Sequence, residues 1–410
     1  MTDNTSGTAD GIASSARTDR MQELDGLRAI AILLVIAFHS WYFLSSAFTS
    51  KELFAGFAAS IPDALAFVRR GDVGVDIFFV LSSFLLSYQL FGQRKSTGTL
   101  KFKRFFAHRI ARIYPLYIVA LAIALAAGEP LRLIIGNLLA YNIWTHPDQI
   151  VIPWSWSLSV ELNFYLAVPF LILLIRGGRA LAALAVLICL VSAGWSHWYV
   201  ANSRLLGTDT LMELWMAGDD AEMDYYWQFL YVAFPVRAGQ FVFGIVAAWL
   251  VVYRADWFRG LGAGATALMV ILTLAGIAAP LMNNTFVPQT EWNQFWMNFE
   301  YRFGRMSFAA GVAMLILLMQ TGQIRALKRG LSAQLWQPVA RYSYSMYLFH
   351  PLFVGLAAKL ILGREDVDHV APVFVVAIFV SAVAGAMALG WITWRVIERP
   401  ALRFARRRFG

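Results

Sequence analysis

The chain has 410 residues, of which 59% are hydrophobic and only 14% charged, and its mean hydropathy is +0.59. That length would suggest two or three domains in a soluble chain, but apolar stretches of spanning length recur from residue 28 to residue 397, which excludes that division and leaves one polytopic membrane domain. The net charge of +9 gathers in a few loops, where in a membrane protein it reports orientation and not nucleic-acid binding.

Residues 1–20 are rich in Ser, Thr, Asp, Ala and Gly and predict a disordered cytoplasmic tail, with no apolar core of the kind a cleaved signal peptide needs. A single transmembrane domain is expected over 21–404, followed by a basic cytoplasmic tail over 405–410. The fold class is an all-α helix bundle of about ten spans, near 28–45, 73–91, 112–127, 157–175, 180–200, 230–253, 262–281, 304–320, 342–361 and 371–397. An eleventh apolar piece, 131–144, is short and interrupted by Gly136, Asn137 and Asn142. Charge decides its status. The basic segments 94–112, 176–179, 254–259, 325–341 and 395–408 should face the cytoplasm, and the acidic segment 209–224 should face outward. These assignments agree only if 131–144 does not cross, so it is expected to be re-entrant or to lie on the surface, with both termini cytoplasmic.

Few ionisable groups lie in or beside the spans, and each is a functional candidate because a charge at membrane depth is costly. Arg28 and His39 are eleven residues apart, about 16 Å along one helix, which puts Arg28 at the cytoplasmic interface and His39 near or past mid-membrane. A neutral imidazole there can accept a proton as a general base, or it can simply hydrogen-bond between helices. Asp76 enters the second span from outside, placed to orient a histidine, bind a hydroxyl, or cap its own helix. Arg109 and Arg112, spaced i, i+3, share a helix face and can grip phosphates with their forked guanidinium groups; an ordinary positive-inside cluster looks the same. Glu161, on one helical face with Ser157, begins a span from the outer side and needs a partner from another helix: His39, Arg237 or a sugar hydroxyl. His350 stands just before Pro351, in a stretch that also holds Tyr347; Ser157, Tyr347 and His350 are the candidate substrate-binding residues. No role is expected for His146, His197 or His369. No histidine pair has zinc spacing, the one cysteine, Cys189, suits helix packing, and no metal site, glycine-rich phosphate loop or Gly-x-Ser-x-Gly elbow is found.

Six segments, in order along the chain, resemble the acyltransferase-3 family of integral membrane acyltransferases. They are Glu23-Leu24-Asp25-Gly26-Leu27-Arg28 with His39, Gly74-Val75-Asp76-Ile77-Phe78-Phe79-Val80-Leu81-Ser82, the Arg109/Arg112 pair before Ile113-Tyr114-Pro115, Trp156-Ser157-Leu158-Ser159-Val160-Glu161, Tyr344-Ser345-Met346-Tyr347-Leu348-Phe349-His350-Pro351, and Glu398-Arg399-Pro400. One departure is Ser83, where the family usually has glycine. The resemblance covers residues 22 to about 404 and implies a version without the extra extracytoplasmic domain that some members carry. It implies transfer of an acyl group, often acetyl, from cytoplasmic acyl-CoA to a carbohydrate or glycolipid hydroxyl, in the cell membrane (a bacterial inner membrane). Acyl-CoA would be a co-substrate, with no resident cofactor. Arg28 and His39 would be essential, Arg109 and Arg112 would hold the coenzyme A donor, and Asp76 or Glu161 would orient His39 or the acceptor. His39 would serve as base or as a transient acyl carrier. A proton-coupled transporter or glycolipid flippase is the alternative, disfavoured by the lack of internal repeats. Oligomeric state and the identity of the acceptor are not legible.

Overall fold

The computed structural model describes residues 21–62, 65–145, 149–203, 211–282, 291–363 and 367–409. The expected tail at 1–20, His146 and Asp209 lie outside these. The chain is helical, with a single isolated bridge between Phe48 and Val367 among the described residues. Among the described residues ten helices are long and apolar enough to cross a membrane, matching the number expected. We label the long helices α1 (Gln22–Tyr42), α2 (Val73–Thr97), α3 (Phe102–Ala126), α4 (Trp156–Leu174), α5 (Gly178–Asn202), α6 (Phe234–Arg259), α7 (Ala263–Ala278), α8 (Arg305–Gln320), α9 (Trp336–Leu362), α10 (Pro372–Thr393) and α11 (Arg399–Phe409). The segment 131–144 forms one eight-residue helix, Leu131–Leu138, and the start of a short turn at Asn142–Thr145, too short to cross. Asn163 of α4 ties it down, donating to the Ala140 carbonyl and accepting from the Trp144 indole.

The helices outrun the apolar stretches. The basic segment 94–112 is not a loop: α2 continues to Thr97, turns at Gly98 in the left-handed region (φ 72°) and restarts as α3 at Phe102. Only glycine adopts that φ without a steric penalty, so the turn is compact and the basic residues sit on helix ends. Arg94 stays with its helix by donating to the Ile172 and Ile175 carbonyls at the end of α4. Likewise 405–409 is not a loose tail but the last turns of α11.

At the centre is α2, packed against α1, α4, α6 and α8, while α9 packs against α1 and α10. A continuous core of buried Leu, Val, Ile and Phe joins α2, α4 and α6, and large apolar side chains such as Leu166, Phe170, Leu190, Leu272 and Val376 cover the outer faces. In water such a surface would aggregate; against lipid it is the expected one. The Ser83 departure has its compensation on α6. A Cβ built on Gly244 would lie 1.9 Å from Ser83 Oγ and 2.6 Å from the Val80 carbonyl oxygen. With glycine at 244 the two backbones still approach closely beside Ser83. Gly244→Ala is therefore expected to lower stability by about 1–3 kcal/mol, visible as a reduced unfolding midpoint of the purified protein. Adding Ser83→Gly should restore only part of the loss, because the Val80 carbonyl stays in the way.

Candidate active site

Two histidines meet where α1 crosses α9. His39 Nδ1 lies 2.9 Å from the Val35 carbonyl oxygen, and His350 Nδ1 lies 2.8 Å from that of Tyr347. A carbonyl can only accept, so both rings carry their proton on Nδ1. His350 Nε2, 3.0 Å from His39 Nδ1, is then the acceptor of a hydrogen shared between Val35 and His350. Every nitrogen of the pair is now committed except His39 Nε2, which keeps its lone pair. Neither Asp76 nor Glu161 hydrogen-bonds His39 among the described residues.

His39 lines a cavity of about 270 Å³ in the half of the bundle where α1 ends and α2 begins, near the lower end of small-ligand pockets. Tyr42, Phe43, Trp154, Trp156 and Tyr347 supply aromatic wall, and Arg69, Arg70, Asp72, Glu300 and Arg305 supply charge. His350 is not on this wall. It is fully buried behind His39 with both nitrogens engaged, which corrects the expectation that it contacts substrate. Tyr347 does face the cavity. Its hydroxyl donates to the Trp154 carbonyl at 2.5 Å, so Ser157 Oγ, 2.6 Å away, must donate to it. Ser157 thus sits beneath the wall, supporting Tyr347.

Asp76 meets arginines and not His39. It is fully buried, and each oxygen meets a guanidinium: Oδ1 accepts from Arg237 at 2.9 Å and Oδ2 from Arg305 at 2.7 Å. Arg305 also bonds Asp72, and Arg70 joins Asp72 (3.3 Å) to Glu300 (2.7 Å). Three arginines and three carboxylates form one ladder from α2 to α6 and α8. Burial alone would raise the Asp72 carboxyl, but the Arg305 and Arg70 guanidinium groups outweigh it and hold the group well below the usual carboxylate range. Arg237 is clamped further, lying over the Trp156 and Tyr231 rings at 4.8 and 5.0 Å and donating from Nε to the Tyr231 carbonyl at 2.7 Å. Two π-turns, Trp227–Tyr231 and Glu300–Gly304, place this carbonyl and Glu300 on the cavity; such turns recur at functional sites. The ladder was missed in the sequence because its members come from separate segments, the sole hint being Arg70 and Asp72 flanking Gly71.

A second cluster lies deeper along α1. Glu161 accepts hydrogen bonds from Ser82 and from the Tyr165 hydroxyl (2.5 Å). Arg28 and Arg109 both lie within electrostatic reach of Glu161, Tyr165 and Arg112. Arg28 also reaches Asp25 at 3.6 Å, and Arg112 comes within 4.0 Å of Glu398. α4 starts at Trp156, close to the expected 157, and the partners found for Glu161 are Ser82, Tyr165 and nearby arginines instead of His39, Arg237 or a free hydroxyl. Arg109 and Arg112, expected as a pair, thus lie in one cluster with Arg28, a grouping the sequence did not suggest. None of these arginines lines the cavity. No cluster of three or more His, Cys, Asp or Glu side chains that could hold a metal ion occurs among the described residues.

A polytopic bundle that gathers guanidinium groups at one level, a paired histidine about 16 Å further along the same helix and a cavity beyond it has the layout of a membrane-embedded group-transfer enzyme. The chain belongs to the acyltransferase-3 family, whose acyltransferase domain matches residues 21–391, and it is an acyltransferase. It is similar to the acyltransferase MdmB of Streptomyces mycarofaciens, with 26% identity over 419 aligned residues that cover 96% of this chain and 94% of that protein. It is also similar to the peptidoglycan O-acetyltransferase OatA of Listeria monocytogenes (28% identity, covering 46% of this chain and 31% of that protein) and to a putative O-acetyltransferase of Staphylococcus aureus (26%, covering 48% and 34%). The chain therefore spans nearly all of the first relative and aligns with about a third of the other two. No solved structure matches it.

Proposed function

We propose that this enzyme moves an acyl group, in the first instance acetyl, from acyl-CoA on the cytoplasmic side to a hydroxyl of a carbohydrate or glycolipid presented from the other side, with His39 as the base. One observation carries the proposal: the only uncommitted nitrogen of the histidine pair belongs to a ring on the wall of a cavity. In this reading His39 Nε2 takes the proton of the acceptor hydroxyl as its oxygen attacks the thioester carbonyl. The C–S bond breaks, and the departing thiolate takes a proton to leave as free coenzyme A. The imidazolium formed is held between two acceptors, the Val35 carbonyl and His350 Nε2, an arrangement that suits proton transfer. Arg28, Arg109 and Arg112 hold the donor phosphates, with Glu161 limiting their mutual repulsion, and Asp76 keeps α2 in place under the acceptor. The basic segments support an orientation with both termini cytoplasmic, in a bacterial cell membrane.

The experiment is to incubate membranes containing the protein with radiolabelled acetyl-CoA and look for label in extracted glycan and lipid. Label that depends on His39 supports the proposal, and accumulation of unmodified acceptor across the membrane would favour the transport alternative instead. The histidine pair gives a sharper check. His350→Leu removes the acceptor for the His39 Nδ1–H and is expected to lower kcat by about 10- to 100-fold with little change in the KM for acetyl-CoA. His350→Gln, which keeps an acceptor oxygen, should recover much of the rate. A merely packing role would make Leu the better substitute.

A further inference from the structure

The end of the bundle at which α3 begins and α11 finishes carries a groove that the site above leaves unused. It is lined by Lys101, Lys103, Arg104 and Arg408, with Phe102 and Phe409 between them. The four basic side chains are exposed, and none has a carboxylate partner among the described residues. Their position opposes the usual helix electrostatics. α3 has no acidic residue in its first turn, so three cations crowd the positive end of a helix dipole, an arrangement that costs stability unless an anion balances it. The positive-inside tendency explains the sign of these charges, but not why two segments some 300 residues apart converge to form one concave site with two phenyl rings. Phe102 is fixed in place by stacking on Phe170 at 5.9 Å.

Helix register indicates which anion. Arg109 lies five residues beyond Arg104 on α3, about 7.5 Å further in, and Arg112 one turn beyond that. If those two arginines take the diphosphate of an acyl-CoA while its thioester arm runs on toward His39, the other end of the same molecule must lie back toward the start of α3. That end is an adenine ring and a phosphate monoester, which match the exposed Phe409 ring, the partly exposed Phe102 ring and the cations beside them. We propose that this groove binds the 3′-phosphoadenosine end of the donor. The proposal rests on the acyl-CoA reading above and gives the first turn of α3 and the last turn of α11 a role in selecting that donor.

The test is binding of coenzyme A and of 3′-dephospho-coenzyme A, by calorimetry, to the whole protein in nanodiscs of phosphatidylcholine; no acceptor is needed. The parent protein is expected to favour coenzyme A by about tenfold or more. The double variant Lys103→Ala/Arg408→Ala should lose that preference while binding the dephospho form as the parent does. A preference that survives in the variant, or equal binding of both compounds by the parent, overturns the groove assignment and leaves the donor reading standing. Failure of the parent to bind either compound overturns the donor reading itself. Repeating the titration with phosphatidylglycerol present separates the other source of phosphate. Should the variant differ from the parent only in its response to that lipid, the groove is a headgroup site and the nucleotide assignment falls.

Discussion

His39→Ala is expected to lower acyl transfer by about 10²–10⁴-fold, the span typical for loss of a general base, while the protein stays folded in the membrane. The second half of that statement follows from the packing. His39 is only partly buried, and its ring contacts are with Phe38, Phe43 and His350. Removing it enlarges a cavity that already exists and does not open a void in the core. The loss of its Nδ1–H leaves His350 Nε2 without a donor, a cost of about 1–3 kcal/mol that the bundle can absorb. Rate and fold therefore separate, and label transfer measured beside an unfolding midpoint checks both. Acetylated product at the parent's rate from the alanine variant would remove His39 from the chemistry.

Arg237→Ala should do the reverse, with its main effect on stability. Arg237 and Asp76 are both fully buried, and truncating one partner leaves a charge uncompensated in a low-dielectric interior. Such losses run at about 3–5 kcal/mol. Here Arg305 still holds the other oxygen of Asp76, which places the expected cost toward the lower end. The variant also gives up the contacts with Trp156 and Tyr231 and the hydrogen bond to the Tyr231 carbonyl. A clear fall in the unfolding midpoint in detergent is expected, with poor yield from the membrane. An unchanged midpoint would mean that this pair does not fasten α2 to α6.

What the sequence disclosed and what it withheld divide along a physical line. Features that live on one helix were legible. The ten spans follow from apolar runs, Arg28 and His39 follow from an eleven-residue spacing, and Arg109 with Arg112 from i, i+3. Partners across helices were not. Asp76 meets Arg237 across 161 positions and Arg305 across 229, and His39 meets His350 across 311. No periodicity encodes such pairs, so the partner of each buried carboxylate stayed open among a histidine, a hydroxyl and its own helix end. Glu161 is a similar case: the start of α4 was legible to within a residue, but its partner Ser82 lies on another helix, 79 positions away. Helix ends were underestimated because Arg94, Lys95 and Arg104 interrupt hydropathy without interrupting helix. The Ser83 departure looked like a weakness until the facing glycine of α6 was in view.

The hydrogen-bonded contact of Tyr347 with Ser157 and the Trp154 carbonyl bears on the energetics of the whole cell. In a membrane enzyme, a continuous water wire through the bundle would drain the voltage and proton gradient that the membrane maintains. In these two hydroxyls and one peptide oxygen the hydrogen of each hydroxyl is taken by the next group, which leaves little there for a chain of waters to join.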